Sequence, residues 1–273
     1  MEILTHRVSY RGAGRMLEYH VKPLSDVHIG NIGCDINRFK EDIDEINQDP
    51  FALWIGGGDY CECINITDKR FDPQSIHPDY NIKSLSRLVD AQIEDIVFLL
   101  KPIAKKCIGF LAGNHEEEIR LRSQRDAAYD IAKGLGILDK YMGYDGFIRL
   151  IFTRNKHDSN MVTFYCSHGY GGARKSGSKI NKLEDFAHSF DADIIILAHE
   201  HKKIVAPPVL KLGLDKLGNL IQKKQWAVMS GSYLKGYVQH ATTYVEKKGY
   251  PPSDLGTVTI KIKPRYRDIK IES

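Results

Sequence analysis

Four branched apolar residues in a row, Ile194-Ile195-Ile196-Leu197, end abruptly in Ala198-His199-Glu200-His201. Such a run has no polar face, so it suits a strand covered on both sides rather than one half open to water. Four earlier segments are built alike. The weakly alternating Leu17 to Leu24 ends in Ser25-Asp26-Val27-His28, and Phe51-Ala52-Leu53-Trp54-Ile55 ends in Gly56-Gly57-Gly58-Asp59. Cys107-Ile108-Gly109-Phe110-Leu111-Ala112 ends in Gly113-Asn114-His115, and residues 161–166 end in Ser167-His168-Gly169. Ligand-binding groups of α/β sheets lie beyond the carboxyl ends of strands. Five such ends, each carrying Asp, His or Asn, are therefore expected to face one crevice.

Helices are expected between the early strands. Asp35 or Asn37 can cap one that runs to about Gln48, with Phe39, Ile43 and Ile46 on one face and Pro50 as its stop. Leu85, Leu88, Val89, Ile93, Ile96, Val97 and Leu100 predict a helix from about Ile82 to Lys101, closed by Pro102. A helix rich in Arg and Glu follows Asn114 to about Gly134, and another spans roughly 180–190. Residues 1–16 read as a short strand or loose arm, and 63–81, with Pro73 and Pro78, as an irregular excursion. Residues 146–153 and 161–166 suit an antiparallel pair. Beyond His201 the pattern turns to strand: 204–212 and 220–230 flank the turn Asp215-Lys216-Leu217-Gly218-Asn219, and 256–264 alternates as a last strand. The expected fold class is α/β: a four-layer sandwich of two mixed β-sheets packed face to face with helices outside. One domain is expected to span 1–273, with its motifs in 20–205 and a β-rich part, 206–273, completing the second sheet.

The chain has 273 residues, 42% of them hydrophobic and 27% charged, enough for a sizeable core. Its apolar runs fall far short of a membrane span, and Met1-Glu2-Ile3-Leu4-Thr5-His6-Arg7 lacks the layout of a signal peptide. Five cysteines without a CxxC pair suggest free thiols in a reducing compartment. A soluble, cytoplasmic protein without membrane partners is expected. Cys61 and Cys63, lacking a second cysteine pair, are weak metal candidates. Charge is uneven: residues 1–100 carry 10 Lys+Arg against 17 Asp+Glu, and 101–273 carry 29 against 18. The basic second segment could attract a polyanion such as nucleic acid.

Taken in order, Asp26-x-His28, Gly58-Asp59, Gly113-Asn114-His115-Glu116, His168 and His199-x-His201 resemble the signature of the calcineurin-like metallophosphoesterases, with DNA-repair nucleases the closest flavour. The resemblance covers roughly residues 20–205. It departs at Ala198, where that family usually has Gly. It implies two divalent metal ions bridged by Asp59, with Asp26, His28 and His201 completing one site and Asn114, His168 and His199 the other. Carboxylate, amide oxygen and imidazole suit Mn, the first choice, or Fe, Zn or Ni. Such a pair would hydrolyse phosphodiesters of DNA or RNA by attack of a metal-bridging hydroxide.

In the same pattern His115 protonates the leaving group, and Glu62 orients and charges it. The basic Gly/Ser loop beyond His168 offers Arg174, Lys175 and Lys179 to the phosphate ester. Arg120, Arg122 and Arg125 alternate with Glu116, Glu117 and Glu118 and read as a solvated, salt-bridged face. Glu200 is expected to point away as a structural acid. Alternatives are a phosphomonoesterase or a small-molecule or cyclic-nucleotide phosphodiesterase, with 63–81 walling off a small pocket, and more remotely a metal-bearing scaffold without turnover. The sequence does not fix an oligomeric state.

Overall fold

The computed structural model describes residues 1–10, 17–64, 68, 71–80, 87–172 and 174–273. In chain order the elements are β1 (Glu2–Ser9), β2 (Tyr19–Leu24), α1 (Ile36–Gln48), β3 (Ala52–Gly56), α2 (Leu88–Leu100), β4 (Cys107–Phe110), α3 (Asn114–Ser123) and α4 (Ala127–Leu135). Then come β5 (Asp145–Asn155), β6 (Asp158–Ser167), α5 (Ser176–Ser189), β7 (Ile194–Leu197), β8 (Lys203–Val205), β9 (Val209–Leu214) and β10 (Leu220–Ser232). A short α6 (Tyr244–Lys248), β11 (Gly256–Thr257), β12 (Thr259–Lys263) and β13 (Asp268–Glu272) close the chain.

The strands form two mixed sheets. The smaller has the order β13-β12-β2-β3-β4, with β2, β3 and β4 parallel. The larger runs β1-β5-β6-β7-β10-β11, and β8 and β9 also pair with β10. Within it, β6, β7 and β10 are parallel neighbours.

Side-chain alternation explains the unbroken apolar runs. Ile194 and Ile196 of β7 point into the layer between the sheets, with Leu53, Ile55, Val21 and Ile108 from the other side. Ile195 and Leu197 point outward into a second layer with Leu183 and Ala187 of α5. On the smaller sheet, Trp54 and Phe110 face α1, α2 and α4 through Phe39, Ile46, Ile96 and Ile131. Burying one such aliphatic or aromatic side chain contributes about 1.5–3 kcal/mol over leaving it exposed. The architecture is the expected α/β sandwich with helices outside both sheets.

Four expectations need correction. The Arg/Glu-rich helix is two helices, because Gln124 turns left-handed (φ 54°) and Asp126 starts α4 by accepting the Tyr129 N–H. The helix expected from Ile82 is described from Leu88, while 81–86, and 65–67, 69 and 70 of the 63–81 excursion, lie outside the described residues. The strands after residue 206 are shared: β9, β10 and β11 join the larger sheet, and β12 and β13 extend the smaller. The basic loop is shorter than expected, since Ser176–Lys179 already form the first turn of α5. Among the described residues no helix is long and apolar enough to cross a membrane.

Candidate metal centre

The loops after β2, β3, β4, β6 and β7 meet at one end of the sandwich. Their backbones are bent in the same unusual way. Asp26, His28 and Asp59 have φ of 52°, His199 of 71° and His201 of 50°. These are five of the nine described non-glycine residues with positive φ, a conformation that costs of order 1–3 kcal/mol each and gathers at functional sites. The bends are knitted together: Asp26 N–H donates to the Gly58 carbonyl at 3.0 Å, and Val27 N–H to that of Asp59 at 2.8 Å. Gly113 must be glycine, since a Cβ there would lie 2.1 Å from Asp59 Oδ1.

Two groups of side chains share Asp59. Asp26, His28, Asp59 and His201 bring one ligand atom each within 4.8 Å of the others, as do Asp59, His168 and His199. His28 Nε2 and His201 Nε2 are 3.2 Å apart, and His201 Nε2 is 3.2 Å from Asp26 Oδ1. His168 Nε2 lies 3.4 Å from Asp59 Oδ2 and 3.0 Å from Asn114 Oδ1. All seven residues expected from the sequence therefore converge.

This donor set fits divalent ions. His28 Nδ1 bonds the Glu62 carboxylate at 3.0 Å and His168 Nδ1 the Gly57 carbonyl at 2.7 Å, so the outer partners assign both Nε2 atoms to the site. His199 is turned the other way, with Nε2 on the Gly171 carbonyl and Nδ1 buried without a hydrogen-bond partner. Asp26 Oδ1 is buried too, and the polar group facing it is His201 Nε2, itself a candidate ligand. Unsatisfied buried atoms of this kind call for a ligand, and carboxylate, amide and imidazole suit borderline first-row ions.

The protonation states show the same demand for positive charge. Burial pushes Asp59 up, yet the imidazoles of His168 and His115 outweigh it and hold the carboxyl well below its ordinary range. Burial lowers His168, but Asp59 outweighs that and raises it to about 9. His28 and His199 are lowered by burial, a state suited to ligation by neutral imidazole. Metal-stripped protein should accordingly melt several degrees below protein given Mn²⁺. Ligand at 100 times its Kd stabilises by about 2.7 kcal/mol, or about 5–10 °C for a chain of this size. Calorimetry with and without a chelator measures the difference, and coincident transitions would count against a metal site.

The other expected residues are placed less simply. His115 and Glu62 both line the cleft, but the Glu62 carboxylate sits on His28 and is 3.9 Å from His115 Nδ1. His115 Nδ1 bonds the Glu62 main-chain carbonyl instead, at 2.5 Å. Arg174 lines the cleft with its guanidinium on the Gly249 carbonyl. Lys175 is exposed just before α5 and does not line the cleft. Lys179 is buried and held by Glu200, at 2.6 Å from its carbonyl and 2.8 Å from its carboxylate, so it braces the His199–His201 turn rather than reaching outward. Glu200 is buried and paired with Lys179 and Lys182, as a structural acid would be, but it lines the cleft rather than pointing away from it.

One residue was misread. Glu116, assigned to a solvated face, is buried and accepts the backbone N–H groups of Asp59, Tyr60, Cys61 and Gly113 at 2.8–3.1 Å. Its position two residues after Asn114, in the first turn of a helix, was the available signal. Arg120, Arg122 and Arg125 do pair on the surface, with Glu117, Glu118 and Asp130. Cys61 and Cys63 group with Glu116 behind Asp59, where its oxygens are already taken by backbone.

Three solved structures are among those similar to this chain. One is a conserved uncharacterized protein, a predicted phosphoesterase, from Streptococcus pneumoniae TIGR4: 14% identity over 94% of this chain and 99% of that one, TM-score 0.34. A metallophosphoesterase from Sphaerobacter thermophilus has 10% identity over 93% and 87%, TM-score 0.39. A single mutant of Vps29 from Entamoeba histolytica has 11% identity over 93% and 97%, TM-score 0.38. No protein-family model and no curated protein matches the sequence.

Proposed function

We propose that this chain is a dinuclear-metal-dependent phosphoesterase, acting on phosphodiesters and on nucleic acid among them, in the cytoplasm and as one domain. The observation that carries the reading is Asp59, whose carboxylate belongs to two ligand groups at once. Asp26, His28 and His201 would hold one ion with it, and Asn114, His168 and His199 the other, manganese being the first choice. When bound, such ions supply charge at the phosphoryl oxygens and a water of lowered pKa. Glu62 and the Gly57 carbonyl keep the lone pairs of His28 and His168 aimed inward. His115, its ring 4.6 Å from that of His28 and held on the Glu62 carbonyl, protonates the departing alkoxide. Arg174 in the cleft wall receives the ester's negative charge.

A second reading, hydrolysis of small phosphodiesters, draws on the shape of the cleft. Its volume is about 400 Å³, and its walls include Phe71, Asp72 and Ile76 on one side and Tyr244, Val245 and Tyr250 on the other. Lys247 and Asp72 join the two sides at 2.9 Å.

Mn²⁺-loaded protein assayed on bis-p-nitrophenyl phosphate, p-nitrophenyl phosphate, single-stranded DNA and duplex DNA separates these readings. Turnover of the monoester alone rejects both diesterase readings, and turnover of the small diester without DNA selects the second. No turnover with metals bound favours a scaffold. His115→Ala should keep its metal content and lose about 100-fold or more on esters with poor leaving groups, but far less on p-nitrophenyl esters. Equal loss on both would remove the general-acid role.

A further inference from the structure

The β9–β10 hairpin carries an apolar surface unrelated to the cleft. Leu210, Leu212, Leu214, Leu217 and Leu220 are 57–87% exposed. The ladder pairs Leu214 with Leu220, Leu212 with Gln222 and Leu210 with Lys224, so these six share the face turned away from α5, which Trp226 and Val228 continue between the sheets, and Leu217 stands in the turn. The hairpin is held firmly. Asp215 accepts the N–H groups of Leu217 and Asn219 at 2.8 Å, and Gly218 (φ 82°) completes the turn. On the α5 side Lys211 reaches the Ala187 carbonyl at 3.0 Å, and Gln225 bonds those of Phe190 and Ala192. A rigid strand face that repeatedly turns leucine to water costs solubility unless something covers it.

We propose that a second copy of this chain covers it, making a two-fold dimer through the hairpins' leucine faces. The five leucines expose roughly 600 Å² per copy, the upper end for a lone patch and, doubled, at the threshold of stable interfaces. A flat face of period-two side chains can be its own complement across a two-fold axis, with the sheets stacked about 10 Å apart. Charge favours this occupant over a lipid surface. Apolar patches that bind anionic membrane are ringed with cations, whereas this face's ladder positions carry one, Lys224, its ammonium drawn back over the Trp226 ring at 4.7 Å; Lys216 stands in the turn, and Lys211 and Lys223 alternate onto the α5 side. Candidate metal residues follow the opposite end of β7, β10's parallel neighbour, so both clefts stay open in the dimer.

Sedimentation of the full chain between 1 and 100 µM should give about 62 kDa, twice the 31.0 kDa chain. The double variant Leu212→Glu/Leu214→Glu should sediment at 31.0 kDa, with at least ~100-fold weaker association. Its far-UV circular dichroism and metal content should match the parent, because both side chains face water, while its melting point should lose the parent's rise with protein concentration. Phe98→Glu, at a 79% exposed residue of α2, should leave the dimer intact. A parent chain that stays monomeric across the range overturns the proposal, as does a double variant that still dimerises. A monomer that instead binds phosphatidylserine vesicles through these leucines would assign the face to lipid and overturn it equally.

Discussion

Asp59→Asn is expected to abolish turnover and metal binding together. Asn is among the residues best suited to the left-handed φ of 52° at this position, and its amide oxygen can still accept the His115 N–H that Asp59 Oδ1 takes at 2.9 Å. The fold should therefore survive, and the loss should be that of one negative charge shared by two ligand groups. We expect kcat/KM to fall at least about 1,000-fold, and elemental analysis to show less than one ion per chain against the two expected of the parent. Asn114→Ala, which touches one group only, should retain more metal. Full metal content in Asp59→Asn, or activity within tenfold of the parent, would end the bridging role.

The strands were legible because burial on both faces demands unbroken apolar runs, and β7 matches Ile194–Leu197 residue for residue. The site was legible for a related reason: parallel strands of a sheet deliver their carboxyl ends to one edge. What spacing along a chain cannot show is which of two neighbours a side chain chooses. Glu62 has both His28 and His115 within 4 Å, and its preference for His28 follows from the left-handed bends at His28 and Cys63, not from residue order. Lys179 looked like a phosphate cradle because loop and helix share Ser and Gly, and only the packing of α5 turns it toward Glu200. The leucines of β9, Leu210, Leu212 and Leu214, alternate as those of a half-buried strand would, yet all three are exposed.

Glu116 is the sharpest case of a charge hidden in a charged run, and its removal should be costly. On a solvated, salt-bridged face Glu→Ala changes stability by about 0.5 kcal/mol or less, and Glu117→Ala should behave so. Glu116→Ala instead strips the acceptor from four backbone N–H groups, each costing about 1–3 kcal/mol if left unsatisfied. Allowing for water entering the gap, we expect a loss of about 4 kcal/mol and a melting point lower by about 10 °C. Metal affinity should fall too, since Glu116 holds the N–H of Asp59 itself.

The charge of Glu116 can be separated from its shape. Burial, with the nearby Asp59 carboxylate, pushes its carboxyl up to about 7. The folded metal-free chain thus keeps a proton that the unfolded chain releases near the ordinary Glu range, so this group's contribution to stability is present at low pH and is lost as pH rises toward about 7. Glu116→Gln mimics the protonated form. It should lose less than Glu116→Ala and show a flatter pH dependence across that window in urea titrations of chelated protein. A Gln variant as unstable as the Ala variant, with the parent's slope, would mean that the four N–H groups find other partners and that Glu116 does not anchor the Asp59 turn.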